Sequence, residues 1–297
     1  MTTTATGNFP ELLWPGIATL WGLEYNKYKP LYKRFMQTKK SDKAFEKEQG
    51  VTGLPLAGVK NEGESVNYVN PLQGFQKEYV NVTYALGTII TREMMEDEQY
   101  NYINEIPGML AESMRQTEET ICANLLNNGF GTTTVADGLS LFNASHTNVG
   151  GGTQRNQLST ASDLSQAALE QAVIDLMDFK DERGLRIMVT PELLVVPTAL
   201  RFTAEKILGT KYAVGSNDND INPVEGMMPL QVNPYLTDAD AWFIKTNVRN
   251  GTVFYNRRSA ELARDNEFDT ENLKFKQSRR FAVGATDWRG WFGTAGA

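Results

Sequence analysis

Little of the usual chemical equipment is present in this chain. Among 297 residues there is one cysteine, Cys122, and one histidine, His146. A lone cysteine excludes an intrachain disulfide and points to a reducing compartment. Set within a helical pattern, it reads as a small core residue. One histidine cannot build a histidine-based metal site, and there is no Cys/His cluster. No stretch approaches eighteen consecutive apolar residues, which excludes a helical membrane span. The Thr-rich start, Met1 to Gly7, has no basic segment followed by an apolar run, so no signal peptide is expected. Asn81, Asn143 and Asn250 fit the glycosylation tripeptide, but without a secretory signal they carry no weight. A basic excess is missing too. The net charge of −7 argues against a general nucleic-acid binder, though not against enclosing nucleic acid.

Catalytic patterns are equally scarce. Ser145 and His146 are adjacent, but neighbouring side chains in an extended segment point apart, and no G-x-S-x-G turn supports a dyad. Asp218-Asn-Asp-Ile-Asn222 resembles the start of a calcium loop. Pro223 then occupies the glycine position and Pro229 the final acidic one, so the pattern fails. No phosphate-binding loop is present, and Gly129-Phe-Gly131 lacks the third glycine and the preceding strand of a dinucleotide fingerprint. The carboxylates of Glu93, Glu96, Asp97 and Glu98 suit a solvated helix start, favoured by the helix dipole, better than a metal site. Arg257-Arg258 and Arg279-Arg280 read as ion-pair partners. No catalytic, cofactor or metal residue is therefore expected, and the chain is not expected to be an enzyme.

What is there is an ordinary globular composition, 41% hydrophobic and 22% charged, in a chain long enough to bury a real core. The order of patterns is arm, strand, helices, strand, helix and final strands, an α+β arrangement without internal repeats. Residues 1–37 mix Pro and Gly with Phe9, Trp14, Trp21, Tyr25, Tyr28, Tyr32 and Phe35. Leu13, Ile17 and Leu20 follow helical spacing within that segment. So many aromatics suit a segment that docks, on a neighbour or on its own domain. Thr91 is a candidate N-cap, and Ile103, Ile106, Leu110, Met114, Ile121 and Leu125 form a helical stripe. Pro107-Gly108 should divide it into a short helix over about 93–104 and a long one over about 108–128. The second would be roughly 30 Å long and end at Gly129. Asp163 is expected to cap a further helix ending near Gly184, and Thr198 another to about Leu208. Strands are expected at 187–197, 242–244, 252–255, 273–276 and 280–286.

Residues 38–91 stand out. They open charged, pass through Gly50, Gly53, Pro55, Gly58 and Gly63, and return with Val80, Val82, Tyr84, Leu86, Thr88 and Ile90 at strand period. Loops this long are usually functional. A long arm with an apolar returning strand makes sense when something outside the subunit receives it, so the first expectation is a protein that works by assembling.

Four segments carry a resemblance: Ser140-Leu-Phe-Asn-Ala-Ser-His-Thr-Asn148, Leu193-Leu-Val-Val-Pro-Thr-Ala-Leu200, Asn233-Pro-Tyr-Leu-Thr-Asp238 with Ala241-Trp-Phe-Ile244, and Asp287-Trp-Arg-Gly-Trp-Phe-Gly293. In this order they resemble the Mu-like major head subunit family of tailed bacteriophages. The likeness covers about residues 80 to 293. It implies the tailed-phage major capsid fold of the Hong Kong 97 type, with an N-terminal arm at 1–37 and an extended loop at 38–86. A peripheral domain with the long spine helix would occupy 87–162, an axial domain 163–251, and peripheral return strands 252–297.

The function so implied is a shell subunit assembling into pentamers and hexamers that form an icosahedral or prolate head around double-stranded DNA. It would be assembled in the host bacterial cytoplasm and found in the virion, with no membrane partner. Portal, scaffold and decoration proteins are the expected partners. Nothing ahead of Phe9 looks like the cleaved helical scaffolding segment of some relatives, so a separate scaffold, or an already processed chain, is expected. Relatives that link a loop Lys to a neighbour's Asn set a precedent for Lys43, Lys47 and Lys60, but the linkage does not carry over from sequence. Intersubunit contacts are expected at Trp14, Trp21, Phe35, Val51, Leu54, Leu56, Tyr68, Phe75 and Tyr79. A nanocompartment shell enclosing enzyme cargo is the alternative within the same fold. A hydrolase using Glu93 and Asp97 with a metal is the alternative outside it, and a tail or connector protein is a third.

Overall fold

A computed structural model describes residues 10–27, 29–97, 102–212, 220–267 and 269–297. Of residues 10–17, 95–96 and 102–104 only the backbone is described. Helix α1 (Pro10–Lys27) leads through a 3₁₀ turn (Leu31–Arg34) to β1 (Gln37–Lys40). Then come β2 (Phe45–Val51), β3 (Gln73–Val80), β4 (Val82–Ile90), α2 (Arg92–Glu96) and α3 (Tyr102–Asn127). The short β5 (His146–Thr147) and β6 (Thr153–Gln154) precede α4 (Gln166–Met177), β7 (Pro191–Val196), α5 (Arg201–Gly209), β8 (Leu230–Val232) and β9 (Trp242–Thr246). The chain closes with the long β10 (Thr252–Asn266) and β11 (Leu273–Ala285), and finally β12 (Trp291–Thr294).

Two four-stranded sheets organise these elements. One has the order β1-β10-β11-β4 and carries α3 and α1 on one face. The other has the order β12-β9-β7-β8. A single continuous apolar core joins them, with Phe35, Leu126, Phe142, Trp242, Phe254, Phe281 and Trp291 among its buried members. The C-terminal β12 pairs with β9, so the last strand lies in the second sheet and not with β10 and β11.

Several expectations need correction. Helix α3 runs through Pro107 without a break. The proline is buried in the second turn and forfeits one hydrogen bond, while Ile106 and Leu110 pack against the first sheet. Gly129 follows the helix for a steric reason, because a Cβ there would lie 2.5 Å from the Phe142 ring. Helix α4 is capped by Ser165, whose hydroxyl accepts from the Ala168 amide at 3.2 Å. Asp163 instead accepts from the Ala297 amide. That helix ends at Met177, well before Gly184, and α5 starts at Arg201, after a turn over 198–200.

The largest correction concerns the returning strand. It is divided at Asn81, and its second half, β4, pairs antiparallel with β11 of the same subunit from Val82 to Ile90. Tyr84 stacks on Phe281, and Ile90 is buried. The subunit therefore receives this strand itself. With β1 also in the sheet, the exposed hairpin is confined to 41–81, inside the expected 38–86.

Candidate functional site: an anchored hairpin with an exposed tip

The hairpin is fixed at its neck. Asn81 is buried and donates to the Ser41 hydroxyl at 2.7 Å and the Lys43 carbonyl at 3.0 Å, tying the end of β3 to the start of β2. Ser41 in turn donates to Glu46 at 3.0 Å. That hydrogen bond leads the causes that hold the Glu46 carboxyl below the usual range.

A second fastening surrounds Glu48. Its carboxylate accepts from the Tyr255 hydroxyl, from Thr286 Oγ1 at 3.1 Å and from the Lys39 ammonium. Lys39 also donates to Asn250 Oδ1 at 2.8 Å. Tyr79 lies buried beside this group, with its ring 5.1 Å from that of Tyr255 and its hydroxyl bonded to Thr286. Burial, with Glu48 adding to it, pushes both tyrosine hydroxyls well above their usual range. Further along, Lys77 Nζ donates to the Thr134 carbonyl at 2.9 Å, and Arg183 donates to the Asn70 carbonyl at 3.0 Å.

Beyond the neck, residues 53–73 are exposed throughout. Up to Leu72 this stretch has no strand or helix, and it displays apolar side chains to solvent: Leu56 is 78% exposed, Tyr68 90% and Val59 94%. Isolated exposed apolar residues need no explanation, but a run of them on one extended segment marks an interaction surface.

The N-terminal segment behaves differently. Trp21 stacks on Tyr25 at 5.1 Å and donates from its indole nitrogen to Gln277 Oε1 at 3.2 Å. Gln277, fully buried, passes its own amide hydrogen to the Leu110 carbonyl. Tyr25 donates to Glu118 Oε1 at 2.5 Å, and its hydroxyl is pushed well up by burial and by that carboxylate. Glu118, buried in α3, also holds Arg115 at 3.0 Å and pairs with Arg279. Its neighbour Glu119 accepts from the Leu31 and Tyr32 amides at 2.7 and 3.1 Å, satisfying the free donors that begin the 3₁₀ turn. The described part of the arm is thus fastened to its own subunit.

Of the expected contact residues, Val51, Leu54, Leu56 and Tyr68 are exposed and Phe75 is half-buried. The expectation is corrected for Phe35 and Tyr79, at 1% and 2% exposure within their own subunit. Trp21 is half-buried and packs on the β11–α3 face. The side chain of Trp14 lies outside the described residues.

The chemical candidates separate in space. His146 is buried, stacked parallel on Trp288 at 4.6 Å, with Nδ1 2.7 Å from Asp137, while Ser145 is exposed. Glu93 and Asp97 are solvent-facing, and Glu98 lies outside the described residues, as do Asp218 and Asn219. Among the described residues no three His, Cys, Asp or Glu side chains are grouped to hold a metal. No described helix is long and apolar enough to cross a membrane. The Asp287–Gly293 segment instead serves packing. The Arg289 guanidinium donates to the Lys180 carbonyl at 2.7 Å, Glu182 at 2.8 Å and Asn148 at 2.6 Å, and lies 4.3 Å from the Trp288 ring.

A strand-rich body, a long helix laid on a sheet and an anchored hairpin with an apolar, exposed tip define a subunit of the capsid-shell class. The chain belongs to the phage capsid protein family, whose sequence profile matches residues 76–293. It is a structural protein of a capsid shell. The fold is similar to the capsid of the cyanophage P-SCSP1u, with a TM-score of 0.62 at 8% identity over 91% of this chain and 88% of that one. It is similar to the capsid of the native GTA particle, at 0.59 and 13% identity over 90% of each chain. It is also similar to the virus-like particle from Pyrococcus furiosus, at 0.54 and 11% identity over 95% of this chain and 98% of that one. At such identities the likeness is one of fold. No characterised protein sequence matches the chain.

Proposed function

We propose that this protein is the major head subunit that closes into a shell of pentamers and hexamers around double-stranded DNA, without catalytic activity of its own. The observation that carries the proposal is the tip at 53–73, fixed to the body at its neck and touched by Arg183 at Asn70, yet exposed at every residue. Leu54, Leu56 and Tyr68 would be buried on a neighbour, each contact modest, with many acting together once the shell geometry permits. Head-to-tail contacts of this kind close into rings. A net charge of −7 suits a wall that does not hold the packaged DNA, since few phosphates would be neutralised. A scaffold, a portal and decoration proteins would complete the particle, which would be assembled in the host cytoplasm. The stretches 1–37, 38–86, 87–162, 163–251 and 252–297 would act as arm, loop, peripheral domain, axial domain and return strands. The Mu-like heads, which the four sequence segments resemble, are the subfamily proposed.

The test is particle size and mass of the purified protein by negative-stain microscopy with light scattering. Closed shells, or pentamers and hexamers that convert to shells with a scaffold, are expected. A strictly monomeric or dimeric protein at high concentration with scaffold present would overturn the proposal. A nanocompartment enclosing protein cargo is the second reading, since the same fold also builds a virus-like particle, that of Pyrococcus furiosus. Small empty shells that co-purify with an enzyme would favour it.

A further inference from the structure

The hairpin tip is acidic at its crown, where the carboxylates of Glu62 and Glu64 outnumber the single ammonium of Lys60. Residues Asn61 to Glu64 form a turn in which the Glu64 amide donates to the Asn61 carbonyl at 3.3 Å. Asn61 Nδ2 donates to the Glu64 carboxylate at 3.1 Å. Gly63 takes φ +81°, the position that a type II turn reserves for glycine. The turn is therefore organised before it meets anything. It presents Glu62 to solvent, with no partner among the described residues.

Elsewhere the subunit carries a complementary feature. A cleft of about 380 Å³ opens between the 3₁₀ turn and the loop that precedes β10. Lys33, Arg34, Lys245 and Arg249 line it against a single carboxylate, Glu192, so four cations against one anion leave a local charge of +3 in a chain of net −7. Lys245 is satisfied by Glu192 at 2.7 Å. The side chains of Lys33, Arg34 and Arg249 are exposed, and none makes an ion pair or hydrogen bond among the described residues.

Both walls are held in place. Glu119 pins the start of the 3₁₀ turn. Asn250, at φ +60°, is fixed by Lys39 and by the Thr286 and Asp287 amides, which donate to its carbonyl at 3.3 and 3.1 Å. The cleft is thus a fixed cationic receptor, and the tip a fixed anionic plug on a long stem.

We infer that the cleft receives the Asn61–Glu64 turn of a second copy of this chain, with Glu62 set among Lys33, Arg34 and Arg249. The inference rests on the proposed assembly and names where the tip lands. Charge complementarity favours this occupant. Subunits of net −7 repel one another, so contact needs local patches of opposite sign, and these two are preformed. Reach favours it too. The stretch 52–72 leaves and returns in about ten residues each way, an extension of roughly 30 Å, about the width of a small domain.

The test uses the full chain in three charge-reversed forms: Glu62→Lys with Glu64→Lys, Lys33→Glu with Arg34→Glu and Arg249→Glu, and all five together. Every substituted side chain is exposed, and circular dichroism with thermal melting checks the fold. Each single-sided reversal should lower the yield of closed shells roughly tenfold or more at low salt, because like charges then face each other. The combined form should recover shells. A Glu62→Cys, Arg249→Cys chain should form intersubunit disulfide ladders under oxidation. Native assembly of both single-sided forms, or folded combined subunits that fail to recover, would overturn the inference while closed native shells leave the proposed function standing. An unmodified chain that never assembles would overturn both. Should tip reversal change nothing while cleft reversal releases DNA from closed shells, the cleft holds nucleic-acid phosphates and the inference is wrong.

Discussion

At the neck of the hairpin, Ser41, Tyr79 and Asn81 are buried and hydrogen-bonded, and Glu48 collects three donors from the body. Along the next stretch, 53–73, the same chain leaves Leu56, Val59 and Tyr68 in water. A subunit under selection for its own stability alone would gain by covering or replacing such side chains, since fully burying one contributes about 1.5–3 kcal/mol. The neck therefore supports the subunit, and the tip supports what the subunit joins. The arm, expected to resemble the tip, behaves like the neck, because Trp21, Tyr25 and Glu119 fasten it to α3 and β11.

Breaking a fastening should show this division most sharply. Glu118→Ala leaves Arg115 and Arg279 in a low-dielectric setting without their carboxylate. A loss of about 3–5 kcal/mol in subunit stability is expected, read by urea unfolding of dissociated subunits. At the neck, Glu48→Gln weakens three charge-assisted hydrogen bonds and should cost about 2 kcal/mol in the same experiment. A Glu48→Gln subunit as stable as the native one would mean that the neck is held by strand pairing alone.

The pattern that exposed the stripe of α3 also hid its function. Leu110, Met114, Glu118, Ile121 and Leu125 follow one face, and Glu118 stands at an apolar position of that series. A carboxylate there is the signal of a buried pair, but its partners lie far along the chain at Tyr25 and Arg279. Gln277 and Arg279 likewise occupy inward positions of β11 between Phe275 and Phe281. Sequence shows the misfit, while the partner needs the fold. The strand at 82–90 was legible as a strand, and its partner was not, because period 2 fixes the face but carries no information about which edge receives it. The apolar tip was readable because glycine, proline and loop length mark it locally.

Glu119 offers a smaller effect with a sign of its own. Burial holds its carboxyl above the usual range, partly offset by the Leu31 and Tyr32 amides. The folded state thus binds this proton more tightly than the unfolded one. The stability so gained is full below the ordinary carboxyl value of 4.5 and is lost as pH rises through the folded value. Glu119→Gln removes the titration and keeps one acceptor, so stability should change by no more than about 1 kcal/mol. Measured as a difference, the variant should gain on the native protein as pH climbs above 4.5. The opposite slope would mean that Leu31 and Tyr32 stabilise the charged form more than burial disfavours it.

The smallest change in stability belongs to the tip and should accompany the largest change in assembly. Leu56→Ser with Tyr68→Ala should shift subunit unfolding by no more than about 0.5 kcal/mol, since neither side chain is packed. Deleting Gly50 to Gly63 should likewise leave circular dichroism near normal and abolish closed shells. That deletion also removes Gly50 and Val51 from β2, so its stability will fall slightly more than that of the double substitution. Shells that still close around either variant would transfer the contact energy to the neck or the sheet edges. A subunit that unfolds would place the tip inside its own core, contrary to the exposure of every residue from 53 to 73. Stability and closure should therefore separate at the tip and move together at Glu118 and Glu48.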